Sequence, residues 1–71
     1  MPPEFNDKLS EHKITYQKLE GDRTRVDGHP PYPQGISDAS QLFNLLLSLA
    51  NETDAKLSNS EGDHFDFEPR K

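Results

Sequence analysis

Three histidines, at positions 12, 29 and 64, carry the side chains best suited to metal binding or proton transfer. They lie far apart, none has a second histidine at helical ligand spacing, and the chain has no cysteine, so a zinc site is not expected. Serine, histidine and aspartate occur in no nucleophile-elbow pattern, and no glycine-rich phosphate loop is present. A chain of 71 residues also has little room for a concave pocket. The sequence therefore predicts a protein that is not an enzyme and needs no metal or cofactor.

A different chemistry, recognition of a basic protein surface, is indicated by the segment from residue 63 to residue 68. Its carboxylates alternate with two phenylalanines, which gives the segment an acidic side and an apolar side. The carboxylates would steer a positively charged partner, and the rings would anchor it. The predicted partner-binding residues are Asp63, Phe65, Asp66, Phe67 and Glu68. The alternatives are a solvated acidic face, or a strand that pairs with an earlier hairpin.

The charge of the chain limits the kind of partner. The formal net charge is −5, of which −1 belongs to residues 1–35 and −4 to residues 36–71. Direct binding to DNA or RNA needs a basic face that displaces counterions from phosphates, so it is not expected. The favoured partner is a protein with a basic surface. The alternative is a small nucleic-acid-binding regulator that uses Lys13, Lys18, Arg23 and Arg25.

The element that must support these side chains is built on one apolar run, residues 42–50. Leucines recur there at the i, i+3, i+4, i+7 spacing of an amphipathic helix, and Asp38 with Gln41 fits a capping box at its start. A helix that is apolar on more than one side must be covered by the rest of the chain or by a second copy. The stripe expected to form the face of a homodimer consists of Phe43, Leu47 and Ala50.

Residues 13–27 predict a β-hairpin. Apolar and polar residues alternate on both sides of residues 20–22, where a central glycine suits a tight turn. The competing interpretation is a helix over residues 7–20. The three prolines of residues 28–35 predict a loop, and residues 2–12 predict at most a short helix.

The predicted fold is a small single α+β domain over residues 1–71, with the hairpin packed on one main α-helix and a third, C-terminal strand. The helix is expected to fray after Asn51 or to continue to Leu57, and residues 58–62 are expected to form a loop. The ordered core is expected over residues 13–58, with disordered or frayed ends.

The N-terminus has neither the basic start nor the apolar segment of a signal peptide. The apolar run is also far shorter than the ~20 residues that span a bilayer, so we expect a cytoplasmic protein without membrane contact. The predicted function is a non-catalytic regulator or inhibitor that binds a larger basic protein. Nucleic-acid-handling machinery, such as RNA polymerase or a nuclease, is suggested by analogy with small phage-encoded inhibitors. The alternative is a homo-oligomeric structural protein.

Overall fold

A computed structural model describes residues 4–70 of the chain. Over these residues the chain forms two α-helices and four β-strands, with a short 3-10 turn at Glu20–Asp22 in the hairpin. The elements in chain order are α1 Glu4–Glu11, β1 Gln17–Lys18, β2 Thr24–Asp27, α2 Ala39–Glu52, β3 Ala55–Asn59 and β4 His64–Pro69. This architecture confirms the predicted α+β class. None of the helices in the described part combines the length and the apolar character needed to cross a bilayer.

The four strands form one antiparallel sheet in the order β1-β2-β4-β3. β4 is the last strand in the sequence, yet it lies between β2 and β3. Its register places Phe65 opposite Val26 on one side and Phe67 opposite Leu57 on the other. The predicted C-terminal strand is therefore confirmed, and it pairs with the second strand of the hairpin.

Helix α2 begins and ends through local side-chain contacts. The carboxylate of Asp38 accepts a hydrogen bond of 2.9 Å from the Gln41 backbone N–H, as the capping box predicts. The Gln41 side chain accepts from the backbone N–H of Ser37, at 2.7 Å, instead of from that of Asp38. At the other end the Thr53 hydroxyl donates to the carbonyl of Leu49, which satisfies one of the free acceptors of the last turn.

The core lies between the two helices and one face of the sheet. Phe67 of β4 is fully buried and packs against Phe5 of α1, with ring centroids 4.8 Å apart. A buried hydrogen bond of 2.8 Å from the Thr24 hydroxyl to the Asn6 side chain also ties α1 to β2. The buried apolar residues are Phe5, Leu9, Ile14, Val26, Leu42, Leu46, Leu49, Ala50, Ala55 and Phe67. The core thus draws on residues at both ends that lie outside the predicted range of 13–58.

Two elements differ from the sequence-based prediction. Helix α2 ends at Glu52, and residues 55–59 form strand β3 where we expected a helix end followed by a loop. Only Ala55 and Leu57 of this strand are apolar, and a bulge follows Leu57, so pairing with β4 sets its conformation. The first hairpin strand is also shorter than predicted. The outermost residues expected to fray, 1–3 and 71, lie outside the described part.

Candidate functional site

The sheet has one face without a helix, which we call the open face. Side chains alternate along each strand, so those opposite the buried Val26 and Phe67 point to the open face. This alternation puts charged and histidine side chains side by side on the two central strands. They are Arg25 and Asp27 of β2, and His64, Asp66 and Glu68 of β4.

A cleft opens at one end of this face, where the segment after helix α1 has not yet joined the sheet. Lys13 takes a positive φ of 60°, and the N–H of Ile14 returns to the carbonyl of Leu9 at 2.9 Å, which is a Schellman-type helix end. Ile14 is buried, so the chain runs towards the core, and β1 pairs only with Thr24 and Arg25 of β2. The resulting cleft has a volume of about 560 Å³ and is lined by Thr15, Tyr16, Gln17, Arg25, Asp27, His29, Asp63 and His64.

Three residues of this cleft, Asp27, His29 and Asp63, form an arrangement that we call the histidine clamp. Nδ1 of His29 lies 3.2 Å from Oδ1 of Asp27, and Nε2 of His29 lies 3.3 Å from Oδ2 of Asp63. The side chains are 59%, 71% and 76% exposed for His29, Asp27 and Asp63. The clamp joins the loop after β2 to the turn before β4, and its carboxylates are open to solvent.

Backbone contacts hold the carboxylate of Asp27 and the backbone of Asp63. The N–H of His29 donates a hydrogen bond of 2.9 Å to Oδ1 of Asp27, and this bond lowers the pKa of Asp27 below its ordinary value. The N–H of Gly28 donates to the backbone carbonyl of Asp63 at 2.8 Å. A Cβ atom on Gly28 would lie 3.1 Å from that carbonyl oxygen, so this close approach favours glycine. The two aspartates are therefore held near each other by contacts that do not involve the imidazole.

Next to the clamp, Arg25 and Asp66 form an ion pair under the surface of the open face. The guanidinium donates two hydrogen bonds, of 2.8 and 3.0 Å, to the two carboxylate oxygens. Asp66 is only 1% exposed, whereas the Arg25 side chain is 34% exposed. The hydrogen bonds from Arg25 lower the pKa of Asp66, and the same bonds raise the pKa of Arg25. Each charge of this pair is neutralised by the other.

Among the described residues, the open face also carries a lysine–glutamate pair and a second histidine. Lys56 of β3 lies 3.6 Å from Glu68 of β4. His64 Nδ1 is shielded from solvent and makes no hydrogen bond within residues 4–70, although Oδ1 of Asp66 lies 3.4 Å away. Asp27 and Asp63 differ from these groups, because within residues 4–70 their ion-pair partner is the imidazole of His29 alone.

The arrangement suits the binding of a cation by charge and hydrogen bonding. Among residues 4–70, no group of three or more histidine or acidic side chains is placed to hold a metal ion. Two exposed carboxylates at the mouth of a cleft match the ammonium of lysine or the guanidinium of arginine. No protein-family model, curated protein or solved structure matches this chain.

The five residues predicted to bind a partner do not form one surface. Phe65 and Phe67 point to the helices, where Phe67 is fully buried and Phe65 packs on Phe43 with centroids 4.9 Å apart. Asp66 is buried in its ion pair, and Glu68 is half-buried beside Lys56. Asp63 alone of the five is highly exposed. Burial therefore removes Phe67 and Asp66 from any surface that a partner reaches on the folded chain.

The three residues predicted to form a dimer face also differ in how far they are buried. Ala50 is 2% exposed and belongs to the core, so it cannot contact a second copy. Leu47 is half-buried beside the core, and Phe43 is half-buried against Phe65. A homodimer through these two side chains stays a prediction.

The sequence did not point to three residues of the cleft, Tyr16, Asp27 and His29. Asp27 and His29 come from the end of the hairpin, and they meet Asp63 only because β4 pairs with β2. The sequence did offer one signal. Arg25 and Asp27 are two residues apart on a predicted strand, so both side chains lie on the face opposite that of Val26. If residues 63–68 are also taken to pair with the hairpin, this spacing predicts that Asp27 lies close to Asp63.

Proposed function

We propose that this protein is a non-catalytic regulator that binds a basic surface of a larger protein through the cleft on its open face. The observation that carries the proposal is the unequal pairing of charges on that face. Asp66 and Glu68 each lie beside a cationic side chain, whereas Asp27 and Asp63 face the cleft and have, among the described residues, only His29 as an ion-pair partner. Exposed carboxylates of this kind steer and bind positively charged partners.

The negative charge of the whole chain acts in the same direction. The net charge of −5 repels nucleic acids and attracts basic proteins at long range. This preference supports a protein as the partner over DNA or RNA. The finer prediction, that the partner belongs to the nucleic-acid-handling machinery, rests on the basic surfaces of such proteins and on class analogy. A cytoplasmic location is part of the same proposal.

The proposal is tested by measuring the affinity of the protein for a short arginine-rich peptide by fluorescence anisotropy at two salt concentrations. We expect binding that weakens as salt rises, because exposed charge interactions are screened. The double variant Asp27→Asn/Asp63→Asn should bind at least about tenfold more weakly, since it removes both charges of the cleft.

A matched control is the double variant Asp7→Asn/Glu52→Gln, whose two substitutions lie on the helices and change the net charge equally. It should keep its affinity within about twofold. Equal losses in the two double variants would show that only net charge matters and would contradict a site in the cleft. Absence of peptide binding at low salt would overturn the proposed function itself.

A further inference from the structure

The imidazole of His29 touches a carboxylate with each of its two nitrogens. A neutral imidazole carries one N–H donor and one acceptor, so it can donate to Asp27 or to Asp63 but not to both. The other nitrogen would then present a lone pair to a carboxylate oxygen. Only the protonated ring carries an N–H on both nitrogens, and in that state it also places one positive charge between two negative ones.

The ring can be displaced without losing the site. The N–H of His29 holds the carboxylate of Asp27, the N–H of Gly28 holds the backbone of Asp63, and the His29 side chain is itself 59% exposed. A guanidinium brings five N–H donors in a rigid fork and stays charged below about pH 12, so it can replace the imidazolium between two carboxylates. His29 thus stands where the cation of a partner would bind.

The cleft also indicates the shape of the bound segment. β1 begins only at Gln17, opposite Arg25, so the outer edge of β2 beyond Arg25 is left without a neighbouring strand in the described chain. An extended peptide can lie along such an edge and direct alternate side chains into the cleft. The volume of about 560 Å³ admits one or two long side chains, and Tyr16 supplies an aromatic wall for a cation.

We propose that the Asp27–Asp63 pair receives an arginine or lysine of an extended partner segment, and that protonated His29 competes for the same place. This inference rests on the proposed function and adds that pH regulates the binding. The partner segment binds more weakly as pH falls through the range in which histidine titrates. Besides the two aspartates, the groups facing this place are Arg25 and His64. Arg25 is permanently charged and held by Asp66, which leaves His64 as the competing source of pH dependence.

The test uses the full chain and a capped peptide of about eight residues in which arginine alternates with threonine, so that the peptide keeps its charge. Its dissociation constant is measured near pH 5.5 and near pH 8 at constant ionic strength. For the natural protein we expect binding about threefold to fivefold tighter at the higher pH. The variant His29→Gln should bind equally at both pH values, because its side chain does not titrate. The variant His64→Gln should keep the pH dependence of the natural protein.

The outcomes separate the two proposals. A full pH dependence in His29→Gln, or its loss only in His64→Gln, would overturn the competition by His29 while leaving the cleft as the binding site. Undiminished binding by Asp27→Asn/Asp63→Asn would overturn the proposed function. Tighter binding of a single-stranded oligonucleotide than of the peptide would also overturn it. Circular dichroism of each variant at both pH values checks that the fold is unchanged.

Discussion

The aspartates on the open face differ in how far they are buried. Asp66 is removed from solvent and bound by both arms of the Arg25 guanidinium, so its charge holds β2 and β4 together. Asp27 and Asp63 are more than two-thirds exposed and leave their charge available to another molecule. The same residue type therefore stabilises the fold at one position, and under the proposed function it serves recognition at the others.

Replacing Asp66 with asparagine should reveal its structural role through stability. We expect the free energy of unfolding near pH 7 to fall by about 2 kcal/mol, since hydrogen bonds to a buried charge are lost. The pKa of Asp66 is lowered in the folded state, so its contribution is present above about pH 4 and disappears as pH falls through the folded value. Urea unfolding near pH 7 and near pH 3 should show the two proteins converging in acid.

The control for that measurement is Asp63→Asn, which removes an exposed charge and should change stability by less than about 0.5 kcal/mol. A constant difference between Asp66→Asn and the natural protein at both pH values would contradict the stabilising role of the ionised carboxylate.

The two phenylalanines of β4 should differ in the same type of experiment. Phe67→Ala empties a fully buried position against Phe5 and should cost about 3–5 kcal/mol. Phe65 is only half-buried, so Phe65→Ala should cost about 1–2 kcal/mol. Thermal unfolding followed by circular dichroism measures both. Equal losses would mean that the two rings are equally buried in solution.

At the scale of the elements, the end of helix α1 determines the shape of the cleft. Lys13 occupies the left-handed position of a Schellman motif, where glycine is the usual residue. Its side chain makes this conformation costly, and the buried Ile14 that follows offsets the cost. The turn directs residues 14–16 away from β2 and leaves the cleft open.

Lys13→Gly should therefore stabilise the protein by about 0.5–1 kcal/mol, because relief of the left-handed strain exceeds the added flexibility of the unfolded chain. The comparison variant is Lys18→Gly in β1, where glycine should destabilise by a similar amount. Urea unfolding midpoints measure both changes. A loss of stability in Lys13→Gly would show that the lysine side chain contributes more than its backbone conformation costs.

The elements also differ in how far the sequence could predict them. The leucine spacing and the Asp38 cap specify α2 locally, and the alternation of residues 64–68 specifies β4. β3 lacks such a pattern, since its conformation depends on pairing with a strand that follows it in the chain. The clamp was missed for a related reason, because His29 meets Asp63 only through the pairing of β2 with β4.

At the scale of the whole molecule, the central position of β4 should govern local stability. Its backbone is paired on both sides, whereas β1 has two residues at an edge of the sheet. In hydrogen exchange followed by NMR, we expect the β4 amides to exchange only through global unfolding and the β1 amides to exchange much faster. Similar rates in both strands would contradict this ranking.

The position of β4 has a further consequence for splitting the chain. A cut in the turn at residues 61–62 would divide the chain into two fragments. The longer fragment contains β2 and β3, with the position of β4 between them left empty, and the shorter fragment contains β4. The missing strand brings Phe67 for the core and Asp66 for Arg25, so its return restores both apolar packing and a charge pair. The two fragments should therefore reassemble by complementation, with the short peptide acting as a donated strand.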